Sequence, residues 1–298
     1  MLYEMVTGRA PFEGETPSHV IVSILEREPP PLAGNSDLPV ELQRKSGQKL
    51  EWSALKTQEL DDTLAEGHTD LGLTKYSNFD WAGAEKELKQ ALELDPNSHP
   101  ANAAFANYLL SVGRTDEALH YAKRASELDP TSTPGFLGYA YFLARQYDKA
   151  IELYLEVLEK KPDNPQPLIL LGETYVAKGM YEEGVAEMQK AVALDNTPER
   201  WDRHPMLAYA YAMAGRREEA LKILNEQNRL AKQRYISPYN FAIIYTGLGD
   251  KDRAFEALEK GYEQRTQVVY RLKCRPMFDS LRSDPRYYEL LRKMNLAP

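Results

Sequence analysis

A small residue returns in this chain at a nearly fixed interval, and that interval limits the fold more than any other feature. It stands at Ala84, Ala118, Ala150, Gly184, Ala220 and Ala254, each time after a short polar turn such as Arg114-Thr115-Asp116-Glu117 or Arg216-Arg217-Glu218-Glu219. Successive positions lie 34, 32, 34, 36 and 34 residues apart. Seven residues beyond each comes a second, mostly small place, held by Ala91, Ala125, Val157, Ala191, Gln227 and Gly261. Twelve residues before each comes a third, at Gly72, Ala106, Gly138, Gly172, Ala208 and Ala242. A sustained period of this length marks a repeated supersecondary unit.

The spacings say what the unit is. Small residues about two helical turns apart let two backbones approach, and the Leu and Tyr residues between them at i, i+3 and i+4 form an apolar stripe. Pro96, Pro130 and Pro162 follow the second small place by five residues. Each ends a helix, because proline has no N–H to donate to the fourth carbonyl back. Gly113, Gly179, Gly215 and Gly249 fall where the first helix of a unit should close in a left-handed cap. Each unit is therefore predicted as a helix–turn–helix hairpin whose apolar face is covered only by its neighbours, stacked in chain order around a curved inner wall.

This period, the Gly/Ala–Tyr–Ala–Ala–Pro skeleton and helix ends such as Leu92-Glu93-Leu94-Asp95-Pro96 and Glu127-Leu128-Asp129-Pro130 resemble tetratricopeptide repeats. The resemblance covers about two-thirds of the chain. It implies an all-α helix-turn-helix solenoid, a right-handed superhelix, with six repeats at 65–98, 99–132, about 131–164, 165–198, 201–234 and 235–268. Upstream, Ala54–Asp62 resembles the second helix of another repeat, inside a linker and half repeat over 33–64. Downstream, Pro276–Leu281 and Asp284–Leu291 read as two short helices of a capping segment over 269–298, as the end of a solenoid requires.

Residues 1–64 do not follow the period. Met1–Phe12 resembles the end of the long central helix in the large lobe of bacterial Ser/Thr protein kinases. Glu13–Pro17 and the helix Ser18–Arg27 before Pro29-Pro30-Pro31 continue the match. The resemblance implies a short irregular helical N-terminal extension, a truncated C-lobe fragment over 1–32, of the kind found in signalling kinases with a C-terminal tetratricopeptide region. Phosphoryl transfer needs a Gly-rich cover over the phosphates, a strand lysine, a catalytic aspartate with its asparagine and a metal-binding aspartate. In such kinases these precede the matching segment, so the chain is expected to be no enzyme. The alternative is the regulatory or docking C-terminal part of such a kinase, with catalysis only if a longer product supplies the missing body.

Composition narrows the partners. A formal charge of -8 over 298 residues repels phosphate backbones and anionic lipid. The single cysteine, Cys274, makes no internal disulfide and suits a reducing compartment. No apolar run approaches the roughly 20 residues of a spanning helix, and the first residues lack the pattern of a secretion signal. A cytoplasmic protein with no nucleic acid partner and no membrane insertion is expected. The five histidines (His19, His68, His99, His120, His204) form no i, i+4 pair, and Gly8, Gly14 and Gly34 are too far apart to cradle a phosphate. No metal and no cofactor are expected.

What remains is the inner wall. Tyr141, Tyr175, Tyr211 and Tyr245 recur three residues after the small place of the first helix and read as packing between helices. One residue after that place the helix turns inward. This face yields the peptide-groove candidates Tyr76, Asn107, Tyr139, Phe142, Glu173, Tyr209 and Tyr239. An open trough, aromatic around Tyr139, Phe142, Tyr209 and Tyr239, is the expectation, with those rings anchoring a peptide or protein partner. Some tetratricopeptide proteins grip chaperone C-termini with a clamp of lysines and asparagines. Only Asn107 matches such a place, so no clamp is expected. The function expected is an interaction scaffold, with self-association as a further reading.

Overall fold

Each polar turn of the sequence becomes the tip of a helical hairpin. The structure, a computed structural model, describes residues 64–130, 134–194, 204–264, 266 and 271–296. The N-terminal extension over 1–32 and the half repeat before residue 64 lie outside the described residues. Six hairpins follow one another: α1 (Ala65–Ser77) with α2 (Trp81–Leu94), α3 (His99–Val112) with α4 (Thr115–Leu128), and α5 (Pro134–Leu143) with α6 (Tyr147–Lys160). Then come α7 (Pro165–Lys178) with α8 (Tyr181–Leu194), α9 (His204–Met213) with α10 (Arg217–Ala231), and α11 (Pro238–Gly247) with α12 (Lys251–Glu263). A 3-10 turn (Pro276–Leu281) and a last helix α13 (Pro285–Lys293) complete the described chain, which contains no strand among the described residues.

Side chains fix where helices begin. Asp80 accepts from the Gly83 N–H, Ser98 from Ala101, Asn164 from Gln166, and Asp250 from Arg253, each satisfying one of the N–H groups a helix start leaves free. The first helices end in one shared conformation. Gly113, Gly179, Gly215 and Gly249 have φ of 90°, 90°, 76° and 75°. In the two hairpins without glycine there, Phe79 (62°) and Arg145 (63°) adopt the same left-handed backbone. A residue with a Cβ is disfavoured in that region by about 1–2 kcal/mol, so those two side chains must return something; what they touch is described below.

The recurring small residues are the crossing points. Ala84, Ala118, Ala150, Ala220 and Ala254 are fully buried, as are Ala106, Ala208 and Ala242 of the first helices. Where the first helix has glycine, the second brings a bulky partner. A Cβ on Gly72 would lie 2.6 Å from Leu88 Cγ, one on Gly138 2.6 Å from Tyr154 Cε1, and one on Gly172 2.7 Å from Met188 Cγ. Ala118→Leu is therefore expected to overpack its crossing and lower stability by about 1–3 kcal/mol in urea unfolding. Gly184→Ala pits two effects against each other. Helix propensity alone favours alanine by about 1 kcal/mol. Yet the new Cβ would meet Val176 Cγ2 at 2.5 Å and the Gly172 carbonyl oxygen at 2.8 Å. The clash should win, giving a net loss of about 1–3 kcal/mol; a rise in the urea midpoint would contradict this.

Hairpins pack on their neighbours in chain order, and the first helices α1, α3, α5, α7, α9 and α11 touch one another in sequence to form an inner layer. Tyr141 and Tyr211 are buried between helices. Tyr211 and Tyr245 each lie under an arginine at the start of the following helix, the N-cap Arg216 at 4.6 Å and Arg253 at 4.7 Å from the ring centres.

The described chain also closes on itself. The Trp81 indole N–H donates to the Met294 carbonyl at 2.6 Å, 213 residues away. The Phe79 ring stacks on Tyr262 at 5.6 Å, and the Tyr262 hydroxyl donates to the Lys293 carbonyl at 2.9 Å. Sequence reading expects the C-terminal helices to cap the last repeat. α13 does rest on α12, through Arg286 with Asp252 and Lys293 with Glu259. It also reaches the first hairpin, because the curvature of the stack brings α1 and α2 beside its end.

Candidate functional site: an inner wall with a resident segment

The wall is built from one helix per hairpin. Tyr76 comes from α1, Asn107 from α3, Tyr139 and Phe142 from α5, Glu173 from α7, Tyr209 from α9 and Tyr239 from α11. The expectation of an open trough is corrected here. Residues 271–281 of the same chain lie on this wall, and Tyr76, Phe142, Glu173 and Tyr239 are buried.

Two arginines of the segment make the buried polar contacts. Arg271 donates from Nη1 to the Tyr139 hydroxyl at 3.1 Å and from Nη2 to Asn107 Oδ1 at 3.4 Å, with its guanidinium 5.2 Å from the centre of the Tyr139 ring. Arg275 donates from Nη1 to the Tyr239 hydroxyl at 3.1 Å and from Nη2 to Glu173 Oε1. Arg275 and Glu173 are each buried. Burial opposes the charge on Arg275, but the Glu173 carboxylate and the tyrosine oxygens around it overcome this and hold the guanidinium firmly protonated. Burial also drives the Tyr239 hydroxyl far up, so it acts as a neutral acceptor.

Apolar contacts complete the seat. Phe278 is fully buried with its ring edge-on to Tyr239 at 5.8 Å, and Leu272, Met277 and Leu281 are buried beside it. Tyr139 stacks on Phe142 at 5.9 Å. Arg145, one of the two strained turn residues, extends its side chain to Asp279 at 2.9 Å. Phe79, the other, supplies the ring that stacks on Tyr262. Both left-handed non-glycine turns thus serve contacts with the C-terminal part of the chain, which offsets their backbone cost.

Three candidates do not join the arginines: Phe142, which stacks on Tyr139, and Tyr76 and Tyr209. Tyr76 pairs its hydroxyl with Ser111 Oγ at 2.6 Å and packs edge-on against Trp81 at 5.4 Å. Tyr209 packs on α11, where a Cβ on Gly247 would lie 2.9 Å from its ring. It also lines a cavity of about 270 Å³ with Tyr147, Tyr181, Met213, Pro276 and Met277.

Sequence reading missed Phe79, Trp81, Arg145, Arg271 and Arg275. The available signal was two arginines four residues apart inside an apolar stretch after the last repeat. Cys274, in that stretch, is buried, and burial pushes its thiol up to about 11, so it stays protonated at neutral pH and is no nucleophile. Among the described residues no group of three or more His, Cys, Asp or Glu could hold a metal ion, and no helix is long and apolar enough to cross a membrane.

Comparison with known proteins agrees with the helical-repeat fold. Residues 103–165 and 141–203 each match a family model described as tetratricopeptide repeat. Among solved structures, the crystal structure of the APC/C hetero-tetramer Cut9-Hcn1 is similar, at 19% identity and a TM-score of 0.56 over 92% of this chain and 51% of that one. This chain thus spans about half the length of that protein. A tetratricopeptide repeat protein from Parabacteroides merdae is similar at 15% identity and a TM-score of 0.55, over 78% of this chain and 99% of that one. No curated protein matches.

Proposed function

We propose that this chain, whose fold is the all-α tetratricopeptide solenoid, is a non-catalytic cytoplasmic scaffold that holds a peptide or protein segment on its inner wall. The observation that carries the reading is the way the wall treats residues 271–281. It offers them aromatic faces, a carboxylate, an amide and tyrosine hydroxyls, the mixture that fixes a polypeptide side chain in place. The tetratricopeptide fold suits such work, because a stack of hairpins presents one long concave surface.

A displayed peptide library panned on the full chain tests this. Peptides retained by the unmodified chain should bind at least tenfold more weakly to the Tyr139→Ala, Tyr209→Ala double variant, whose helical circular dichroism should stay nearly intact. Binders indifferent to both changes would place recognition on the outer helices and end the reading. A loss of helical signal on mild warming would assign the two rings to the core instead. A second reading, the docking part of a bacterial Ser/Thr kinase, is favoured by the resemblance of residues 1–32 alone.

A further inference from the structure

The wall and the segment upon it meet as a receptor meets a bound peptide. The N–H groups of Cys274 and Arg275 donate to the Arg271 carbonyl at 3.1 Å and that of Phe278 to the Arg275 carbonyl at 3.2 Å, while the Asp279 and Leu281 carbonyls accept from the N–H groups of Arg282 and Asp284, the residues that follow. Its polar ties to the repeats run through side chains, Arg271 to Tyr139 and Asn107, Arg275 to Tyr239 and Glu173, and Asp279 to Arg145. Lysine could not replace either arginine. Both engage two acceptors through the planar fork, and Arg271 also lies over an aromatic face.

The fit leaves room for a better occupant. Arg275 Nε and the Tyr154 hydroxyl are buried and have no hydrogen-bond partner among the described residues. The cavity of about 270 Å³ borders Pro276 and Met277 without being filled by them. Unpaired buried polar atoms and missing contacts both weaken the hold of the resident segment.

Resting on the reading of the wall as a polypeptide site, we infer that residues 271–281 are a built-in competitor, and that the partner is a polypeptide segment carrying two arginines four residues apart, which takes their place. The resident segment is tethered, so its effective concentration is high and the apparent affinity of any competitor falls with the fraction of wall that is open.

The probe is a labelled peptide of residues 271–282 with Cys274→Ser, added to the full chain and followed by fluorescence anisotropy. The full chain carrying Arg271→Ala, whose own segment holds less well, should bind it at least tenfold more tightly than the unmodified chain. A peptide with alanine in place of Arg271 and Arg275, its Arg282 kept, should bind that variant at least tenfold more weakly. A variant of unchanged helical signal that ignores the peptide, or binds both peptides alike, would overturn the inference. Hydrogen exchange on the unmodified chain provides a check that needs no variant. The amides of Cys274, Arg275 and Phe278 should exchange at least tenfold faster than those in the centres of α7 and α11. Equal protection would mean that the segment opens only with the whole fold and cannot give way. Library peptides that need the wall but carry no arginine pair would sink this inference while leaving the scaffold reading in place.

Discussion

Glu173→Gln is expected to lower stability by about 3–5 kcal/mol, because it leaves the buried Arg275 guanidinium without its counter-charge. Arg275 cannot escape by losing its proton, since it is held protonated in the folded chain. The amide can accept one hydrogen bond but offers no negative charge. For a repeat domain of this size each kcal/mol moves the melting temperature by about 2–4 °C, so the shift should be plain in calorimetry. Salt should change it little, since a buried pair is poorly screened. Exposed pairs provide the contrast. Lys160 with Glu156 and Arg124 with Glu127 lie in water, and removing either should barely move the melting temperature. A Glu173→Gln cost as small as theirs would mean that Arg275 is hydrated in solution.

Phe278→Ala is expected to cost about 3–5 kcal/mol, the usual loss when a buried ring is truncated and its site cannot collapse. The ring is fully buried against Tyr239, on a wall of packed helices that cannot close over the space. Leu155→Ala, at a half-exposed position on α6, should change stability by less than about 0.5 kcal/mol in the same urea titration. Near-equal effects at the two positions would show that the C-terminal segment is not seated on the wall.

These two residues also mark where the sequence stopped being readable. The hairpins were legible because their crossings are written in small residues at a constant period, and each of those alanines proves fully buried. Four of the six turns were legible for a similar reason, as glycine is the residue that enters the left-handed region without strain. Phe79 and Arg145 broke that rule unseen. Their compensation comes from Tyr262 and Asp279, in parts of the chain that no local pattern connects to them.

The wall itself followed from periodicity, since one place per first helix must face inward. Its occupant did not. Arg271 meets Tyr139 across 132 residues and Arg275 meets Glu173 across 102. Contacts of that span leave no trace in spacing, and residues 269–298 have no repeat to align them. Burial of Glu173 was likewise hidden: a carboxylate on an inner face reads as solvated until its partner is known. Closure of the described chain through Trp81 and Met294 depends on the summed curvature of six hairpins, a quantity to which every crossing contributes a little.

A double-mutant cycle on Glu173 and Arg275 tests the account most directly, with Glu173→Leu, Arg275→Met and the combined variant compared by urea unfolding. Each single change strands a buried polar group, whereas the pair of apolar side chains can pack together, so the double variant should recover most of what the singles lose. Losses that simply add, within about 0.5 kcal/mol, would mean that the two side chains do not meet and that the inner wall stands empty of its own chain.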